Sequence, residues 1–311
     1  MTDVDIFVTL STFCEDSDEP MMVLEQSGFT FNVNSLARRM TSREVIELGG
    51  KARAFVAGLE KYDAETISQM PNISCISRCG VGIDNIDMKV AEQRNIEILN
   101  TPEEPIIAVA EMTLAMMLSL LRQLPRVNAL MRDRKWKRVR GNLLADKTIG
   151  IIGMGRTGKR VIELVRAFRA RVIVVDPFPD INWARENEVE LVDMNELLQR
   201  AEIISIHASP SGDNVCLLDE ENIQKIRPGA WLINMARGDM VDDVALASAL
   251  SSGQLSGVGM DVFSTEPYSG ILCDSDRVML SPHQATLTVE TREKMELKAV
   301  ENAVDYLKAH G

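Results

Sequence analysis

Three glycines in the middle of the chain have the spacing of a dinucleotide-binding turn, in the run Gly153-Met154-Gly155-Arg156-Thr157-Gly158. The apolar run Thr148–Ile152 before this turn predicts a strand, and an apolar stripe that starts at Val161 predicts an amphipathic helix after it. Asp176 follows the turn at the end of the next predicted strand, in the order that dinucleotide binding requires. Its carboxylate can accept hydrogen bonds from both ribose hydroxyls and would repel a 2′-phosphate, so the motif favours NAD over NADP.

Each position of this turn has a physical task. Gly153 allows the tight bend, Gly155 lets backbone amides approach a diphosphate, and Gly158 permits close contact between helix and strand. The helix begins near Arg156 and Thr157, where unpaired N–H groups are predicted to bind the phosphates. Without a ligand, the same residues would form only a glycine-rich turn.

Two of the three histidines follow predicted strands, and histidine is the side chain best suited to exchange protons near neutral pH. These are His207 and His283, whereas His310 is the penultimate residue. Ligands of open parallel sheets bind at the carboxyl ends of the strands, so both internal histidines are predicted to lie near the cofactor. Hydride transfer at a carbinol carbon needs such a group for the hydroxyl proton, and it needs a cation for the carboxylate.

Strand-like and helix-like segments alternate along the chain and predict an α/β fold with parallel sheets. The first series of predicted strands is Ile6–Leu10, Phe29–Val33, Ala54–Gly58 and Ile73–Ser77. The second series is Thr148–Ile152, Arg171–Val175, Ile203–His207, Trp231–Asn234, Gly257–Val262 and Val278–Leu280. Short strands that are mostly apolar on both faces indicate a doubly wound sheet covered by helices on both sides.

Two long helical segments complete the pattern. One is a long helical stretch predicted from roughly Ile106 to Met131, and the other is predicted from near Val289 to Ala309. The last helix is expected to cross back and pack on the N-terminal domain. That domain would then be discontinuous, and a cleft would separate it from the second domain.

Charge and composition exclude several classes of function. A formal net charge of −12 argues against a nucleic-acid partner, since phosphate backbones require clustered Lys and Arg. The longest apolar stretch, from Ile106 to Leu121, contains Glu111 and is too short and too polar to span a bilayer. Five cysteines without a CxxC pair indicate reduced thiols and a cytoplasmic location, and no metal site is expected.

Five segments resemble the D-isomer-specific 2-hydroxyacid dehydrogenase family, and they follow the family's order over nearly the whole chain. They are Arg78-Cys79-Gly80-Val81-Gly82-Ile83-Asp84-Asn85-Ile86-Asp87, the glycine-rich turn at 153–158, Asn234-Met235-Ala236-Arg237-Gly238, Asp261-Val262-Phe263-Ser264-Thr265-Glu266-Pro267 and Ser281-Pro282-His283. Within the family, the sequence is most similar to the phosphoglycerate dehydrogenase branch.

The resemblance implies a catalytic trio. His283 would be the general acid and base, Glu266 would hold it by a hydrogen bond, and Arg237 would bind the substrate carboxylate and 2-keto oxygen. Asp261 would accept a hydrogen bond from the nicotinamide carboxamide. Taken singly, each member of the trio could instead have a structural role. Arg237 could cap a strand end, Glu266 could face solvent, and His283 could be a buried histidine with satisfied hydrogen bonds.

Further binding residues are implied in the same way. The backbone amides of Gly80, Val81 and Gly82 would bind the substrate carboxylate, with help from the Arg78 side chain. Ala236 and His207 would lie beside NAD, and His207 would take no part in catalysis.

The resemblance also implies the architecture and the assembly. A Rossmann NAD-binding domain, residues 100–285, would be inserted in a flavodoxin-like substrate domain formed by residues 1–99 and 286–311. A homodimer is expected, with the helix from Ile106 to Leu121 and the segment around Trp136 at the interface.

The implied activity is NAD-dependent hydride transfer at C2 of a small D-2-hydroxy or 2-keto acid, with 3-phosphoglycerate, glyoxylate and hydroxypyruvate as candidates. Glu103 and Glu104 stand where the family usually has small or amide residues, and their charges would disfavour a doubly anionic substrate. The alternative is a non-enzymatic NAD-sensing interaction protein of the corepressor type. Formate dehydrogenase-like chemistry fits less well, because it deprotonates no substrate hydroxyl and would not need the Glu266–His283 pair.

Overall fold

The computed structural model describes residues 4–209 and 216–310, and the secondary structure below refers to these residues. The strands are β1 (Ile6–Val8), β2 (Phe31–Val33), β3 (Ala54–Ala57), β4 (Cys75–Arg78), β5 (Glu97–Asn100), β6 (Thr148–Ile152), β7 (Arg171–Val175), β8 (Glu190–Leu191), β9 (Ile203–Ile206), β10 (Ala230–Asn234), β11 (Leu255–Met260) and β12 (Val278–Leu280). The helices are α1 (Glu19–Gln26), α2 (Ser42–Gly49), α3 (Ala64–Ser68), α4 (Met88–Gln93), α5 (Ile106–Arg122), α6 (Leu124–Arg132), α7 (Arg156–Ala167), α8 (Ile181–Glu186), α9 (Met194–Arg200), α10 (Glu220–Lys225), α11 (Asp243–Ser252) and α12 (Val289–His310).

All strand pairs are parallel, and the strands form two sheets. The orders are β2-β1-β3-β4-β5 and β12-β11-β10-β9-β6-β7-β8. In each sheet the chain starts at an internal strand and winds outward in both directions, which places a crevice at the carboxyl ends of the strands near the starting strand. The central strands are buried along their length, because helices cover both faces. The predicted α/β class with two parallel sheets is confirmed.

The chain divides into two compact units. The first unit contains the residues up to Pro105 and those from Leu287 onward, and the second is Ile106–Thr286. Within the first unit, α12 packs against α1 and against β3, β4 and β5. Val300, Val304 and Leu307 of α12 are buried there in one hydrophobic cluster with residues of β1 and β3. The sequence placed the domain boundaries after residues 99 and 285, which are six residues and one residue before these divisions.

The helical stretch predicted from Ile106 to Met131 consists of two helices, α5 and α6. Gln123 adopts a left-handed conformation with φ 51°, which ends α5 at Arg122. Pro125 then lies in the first turn of α6, where its missing N–H group costs no helical hydrogen bond.

Helix α5 is a core helix of the second unit. It packs against α7 and buries an apolar stripe that includes Met116, Met117 and Leu121. None of the described helices is long and apolar enough to span a membrane alone, and only the pair α5 and α6, bent by 61°, meets that test by length and composition.

Candidate active site

The glycine-rich turn connects β6 to α7 in the second unit. Gly153 has φ +96°, and a Cβ built there would lie 2.6 Å from the Ala208 nitrogen. A Cβ on Gly158 would lie 2.1 Å from the Gly153 oxygen. Gly155 is different, because it is exposed and its Cβ would meet no atom within 4 Å. The fold itself therefore requires Gly153 and Gly158, whereas the space beside Gly155 is open to a ligand.

Asp176 lies directly after β7 and is tied to this turn. Its Oδ2 accepts a hydrogen bond from the Met154 N–H at 2.6 Å, and its Oδ1 accepts one from the Phe178 N–H at 2.8 Å. A carboxylate has about four acceptor positions. Asp176 is half-buried and uses two of them, so its remaining acceptor capacity suits a pair of ribose hydroxyls.

His207 follows β9 and lies beside the same turn. Its backbone N–H donates to the Ile152 oxygen at 2.7 Å, and its Nε2 lies 2.8 Å from the Ser205 Oγ. Its Nδ1 is buried and has no hydrogen-bond partner among the described residues. Burial lowers the pKa of His207 to about 4, so the ring is neutral near pH 7. A neutral ring held in this way fits the non-catalytic role expected from the sequence.

Arg237 lies in a turn that follows β10. The buried Asn234 side chain accepts a hydrogen bond from the Ala236 N–H at 3.0 Å and donates one to the Arg237 oxygen at 2.8 Å. The Arg237 guanidinium is half-buried, and its Nη1 donates to the Ala236 oxygen at 2.7 Å. This places a cation at the carboxyl edge of the second sheet.

Glu266 and His283 form a hydrogen-bonded pair at the same edge. The His283 Nδ1 lies 2.9 Å from Oε2 and 3.1 Å from Oε1 of Glu266. Oε1 also accepts from the Phe263 N–H at 3.1 Å, which fixes the carboxylate. The ring nitrogen that faces a carboxylate carries the proton in the neutral tautomer, so Nε2 is left to exchange a proton with another group. The histidine side chain is 35% exposed and hence accessible.

Asp261 is 1% exposed and holds the histidine loop. Its carboxylate accepts hydrogen bonds from the Ser281 hydroxyl, from the Gln284 N–H at 3.0 Å and from the Ala285 N–H at 2.9 Å. The predicted hydrogen bond to a nicotinamide carboxamide stays a prediction. The structure gives this carboxylate a second task, which the sequence did not suggest.

The predicted substrate loop follows β4 in the first unit. The Gly80 N–H donates to the Thr101 Oγ1 at 2.7 Å, and the Arg78 guanidinium, in a residue only 9% exposed, donates to the Cys79 oxygen. The Gly80 amide and one donor of the Arg78 guanidinium therefore bind within the loop, and the predicted role of both residues toward the substrate stays a prediction. Within the described chain, the N–H groups of Val81 and Gly82 donate to no protein group.

Sequence reasoning missed three polar residues that position these loops: Asn234, Ser281 and Thr101. Asn234 and Ser281 stand at or directly after the end of an apolar strand, and a polar residue at that place was the available signal, whereas Thr101 follows β5, whose apolar pattern is weak. In the part of the chain that the structure describes, no group of three or more His, Cys, Asp or Glu could hold a metal ion.

Comparisons with known proteins agree with this geometry. Residues 114–285 match the family model of the D-isomer specific 2-hydroxyacid dehydrogenase, NAD binding domain. A D-3-phosphoglycerate dehydrogenase of Mycobacterium tuberculosis is 36% identical over 235 residues, which are 75% of this chain and 44% of that protein. A glyoxylate reductase of Thermofilum pendens is 34% identical over 260 residues, which are 80% of this chain and 76% of that protein.

The solved structures add a likeness over the whole fold. A D-lactate dehydrogenase from Aquifex aeolicus, complexed with NAD and lactic acid, is 26% identical, with a TM-score of 0.84. That match covers 98% of this chain and 95% of the solved one. The chain spans about half the length of most of the curated relatives that it matches.

Proposed function

The chain belongs to the D-isomer specific 2-hydroxyacid dehydrogenase family, and we propose that it transfers a hydride between NAD(H) and C2 of a small D-2-hydroxy or 2-keto acid. The observation that carries this proposal is the hydrogen bond between Glu266 and the His283 Nδ1. The pair lies at the carboxyl edge of the sheet whose β6 leads into the glycine-rich turn. Arg237 lies at that edge as well.

In the proposed reaction, each residue of the trio has one task. NADH bound at the glycine-rich turn supplies the hydride. Arg237 binds the substrate carboxylate by charge-assisted hydrogen bonds and polarises the 2-keto group. His283 donates a proton from Nε2 to the oxygen at C2 during reduction and takes it back during oxidation. Glu266 keeps the ring oriented through its hydrogen bond to Nδ1.

We propose an unphosphorylated substrate. Thr101 and Asn100 bind the Gly80-Val81 turn by hydrogen bonds of 2.7 and 2.8 Å, so the segment after β5 lies beside the predicted substrate loop. Glu103 and Glu104 are part of that segment, and their charges would repel a phosphate group. Glyoxylate and hydroxypyruvate fit this proposal better than phosphohydroxypyruvate.

The direct test follows NADH absorbance with purified protein and a panel of 2-keto acids, with NADPH in parallel. The panel contains glyoxylate, hydroxypyruvate, phosphohydroxypyruvate, pyruvate and oxaloacetate. We expect turnover of one or a few unphosphorylated acids with NADH, and much slower turnover with NADPH. Arg237→Ala should lose this turnover. Absence of turnover across the panel, with NADH bound to a folded protein, would contradict the proposal. The comparisons offer no support for a non-enzymatic sensor.

We also propose a homodimer, through a surface of residues 124–143 that we call the α6 surface. Its residues are all exposed or half-buried, and it carries Met131, Trp136 and Leu143, which are 54%, 80% and 70% exposed. So much exposed apolar surface in one segment favours a protein partner. The apolar stripe of α5 is buried within its own unit, so the proposed interface keeps the segment around Trp136 and no longer includes that stripe. Sedimentation as a monomer at micromolar concentration would argue against the dimer.

The cysteines support a cytoplasmic location. Cys14, Cys75, Cys79, Cys216 and Cys273 are all free thiols. Free thiols persist in reducing compartments. Titration of five thiols in the protein purified without reductant is the expected result, and a cross-linked pair would count against this location.

A further inference from the structure

Three polar side chains lie side by side where neighbouring strands of the second sheet end. Asn234 is the last residue of β10, Asp261 follows β11, and Ser281 follows β12. The register pairs Asn234 with Met260 and Met260 with Leu280, so the three strands end at the same level. All three polar residues are buried, which is uncommon for these types unless their hydrogen bonds are satisfied.

Asn234 closes the turn that carries Arg237. Its carboxamide oxygen accepts from the Ala236 N–H, and its nitrogen donates to the Arg237 oxygen, so the turn is held on both sides of one peptide unit. An amide side chain offers one acceptor oxygen and one donor nitrogen, and glutamine, the other amide residue, is longer by one methylene group. The backbone that supports the guanidinium is therefore set by Asn234.

Asp261 and Ser281 hold the backbone of His283 in an uncommon conformation. His283 has φ +50°, in the left-handed region that residues other than glycine rarely occupy without support. The His283 N–H donates to the backbone oxygen of Asp261 at 2.8 Å. The Asp261 carboxylate holds the loop from both sides, through the Ser281 hydroxyl before the histidine and the Gln284 N–H after it.

The three loops are linked to one another. The Asp261 N–H donates to the backbone oxygen of Asn234 at 3.2 Å, which joins the arginine turn to the histidine loop. A Cβ on Gly238 would lie 1.9 Å from the carbonyl carbon of Phe263, so the arginine turn touches the segment that leads to Glu266. One network of buried hydrogen bonds and contacts therefore fixes the spacing between the Arg237 turn and the His283 loop.

We infer that Asn234 and Ser281 are positioning residues, which fix Arg237 directly and His283 through Asp261. This inference rests on the proposed function. Neither side chain needs to touch the substrate, and each acts on the geometry of a catalytic loop. Loss of the Ser281 hydroxyl removes one of three donors to a buried carboxylate and releases the side of the loop that precedes the histidine.

The test compares Ser281→Ala with Ser281→Thr. Ser281→Ala is expected to lower kcat about tenfold, the equivalent of ~1.4 kcal/mol, with KM changed less than threefold. Ser281→Thr keeps the hydroxyl and should restore kcat. Ser256→Ala is the matched control, because it removes a hydroxyl that donates to the Gly229 oxygen at 2.8 Å at the opposite end of β11. Asn234→Ala should instead raise KM about tenfold, since Arg237 holds the carboxylate.

A second measurement does not depend on turnover. The Nδ1 proton of His283, shared with Glu266, is expected as a downfield proton resonance that is broadened or lost in Ser281→Ala and present in Ser281→Thr. Retention of wild-type kcat and of this resonance in Ser281→Ala would overturn the inference, as would equal loss in both serine variants. An inactive wild type would refute the proposed function instead, and the resonance would still decide the positioning role.

Discussion

Gly155→Ala is expected to weaken NADH binding without weakening the fold. Gly155 has φ −71°, which alanine adopts freely, and its Cβ would meet no atom of the chain within 4 Å. Replacing a glycine with alanine in compatible geometry stabilises a fold by ~0.4–1 kcal/mol, because the unfolded chain loses freedom. The variant should therefore unfold at the wild-type temperature or slightly above it.

The expected effect of Gly155→Ala is a lower affinity for the cofactor. Backbone N–H groups at the start of α7 reach a diphosphate only if no Cβ stands between them and the phosphate oxygens. Breaking one hydrogen bond to a charged group costs ~1.5–3 kcal/mol. That cost corresponds to an increase in Kd of roughly 10- to 150-fold. We therefore expect the Kd of NADH to rise at least about tenfold if one such bond is lost.

The assay combines an NADH fluorescence titration with thermal unfolding of the same samples. Gly158→Ala is the control, because its Cβ would lie 2.1 Å from the Gly153 oxygen and should lower Tm. An unchanged Kd in Gly155→Ala would refute the placement of the diphosphate at this turn. A clear fall in its Tm would show instead that the fold, and not the ligand, needs this glycine.

Three further predictions concern selectivity, acid stability and assembly. Asp176→Asn removes the charge that repels a 2′-phosphate, so the ratio of kcat/KM for NADH to that for NADPH should fall about tenfold; an unchanged ratio would refute this role. Burial lowers the pKa of His207 from 6.5 to about 4, so the unfolded chain binds a proton in that window that the folded protein does not, and stability falls as pH drops from 6.5 to 4. The free energy of unfolding, measured with urea, falls for the wild type between pH 7.5 and pH 5, and in His207→Asn this fall should be smaller by about 2 kcal/mol. An equal fall in both proteins would contradict this cause. Trp136→Glu should convert a dimer to monomers in sedimentation velocity, whereas Phe178→Glu, on a ring 90% exposed outside the α6 surface, should not.

Short strands that are mostly apolar could be predicted from the sequence. β6, β7 and β12 occur at the predicted residues, because each is a short apolar run that ends at a sharp change of composition. β8 was missed, since its two residues are exposed and pair only with β7 at the edge of the sheet. β5 was missed as well, because only two of its four residues are apolar and the pattern is weak.

The break between α5 and α6 had a signal that was not used. Pro125 lies inside the helix predicted from Ile106 to Met131, and an internal proline removes a helical hydrogen bond. The prediction gave one helical stretch across this proline and marked no break. The left-handed turn at Gln123 lets the proline lie in a first helical turn instead, and the pattern alone contains no measure of that conformation.

The candidate site was predictable in its residues but not in its supports. The apolar strands before His207 and His283 place both histidines at a sheet edge by topology, whereas the pairing of Glu266 with His283 came only from the resemblance. The hydrogen bond from the Asp261 N–H to the Asn234 backbone oxygen depends on the register of β10 and β11, which no local pattern fixes. The engaged Gly80 amide depends likewise on the contact between β4 and the segment that follows β5.

The central claim is that His283 exchanges the proton that accompanies hydride transfer. Single-turnover stopped-flow measurement of NADH oxidation, with the best 2-keto acid of the panel, compares the wild type with His283→Ala. We predict an unchanged Kd for NADH and a rate of oxidation at least about 100-fold slower in the variant, the usual contribution of general acid catalysis. Oxidation at the wild-type rate in His283→Ala would contradict the account.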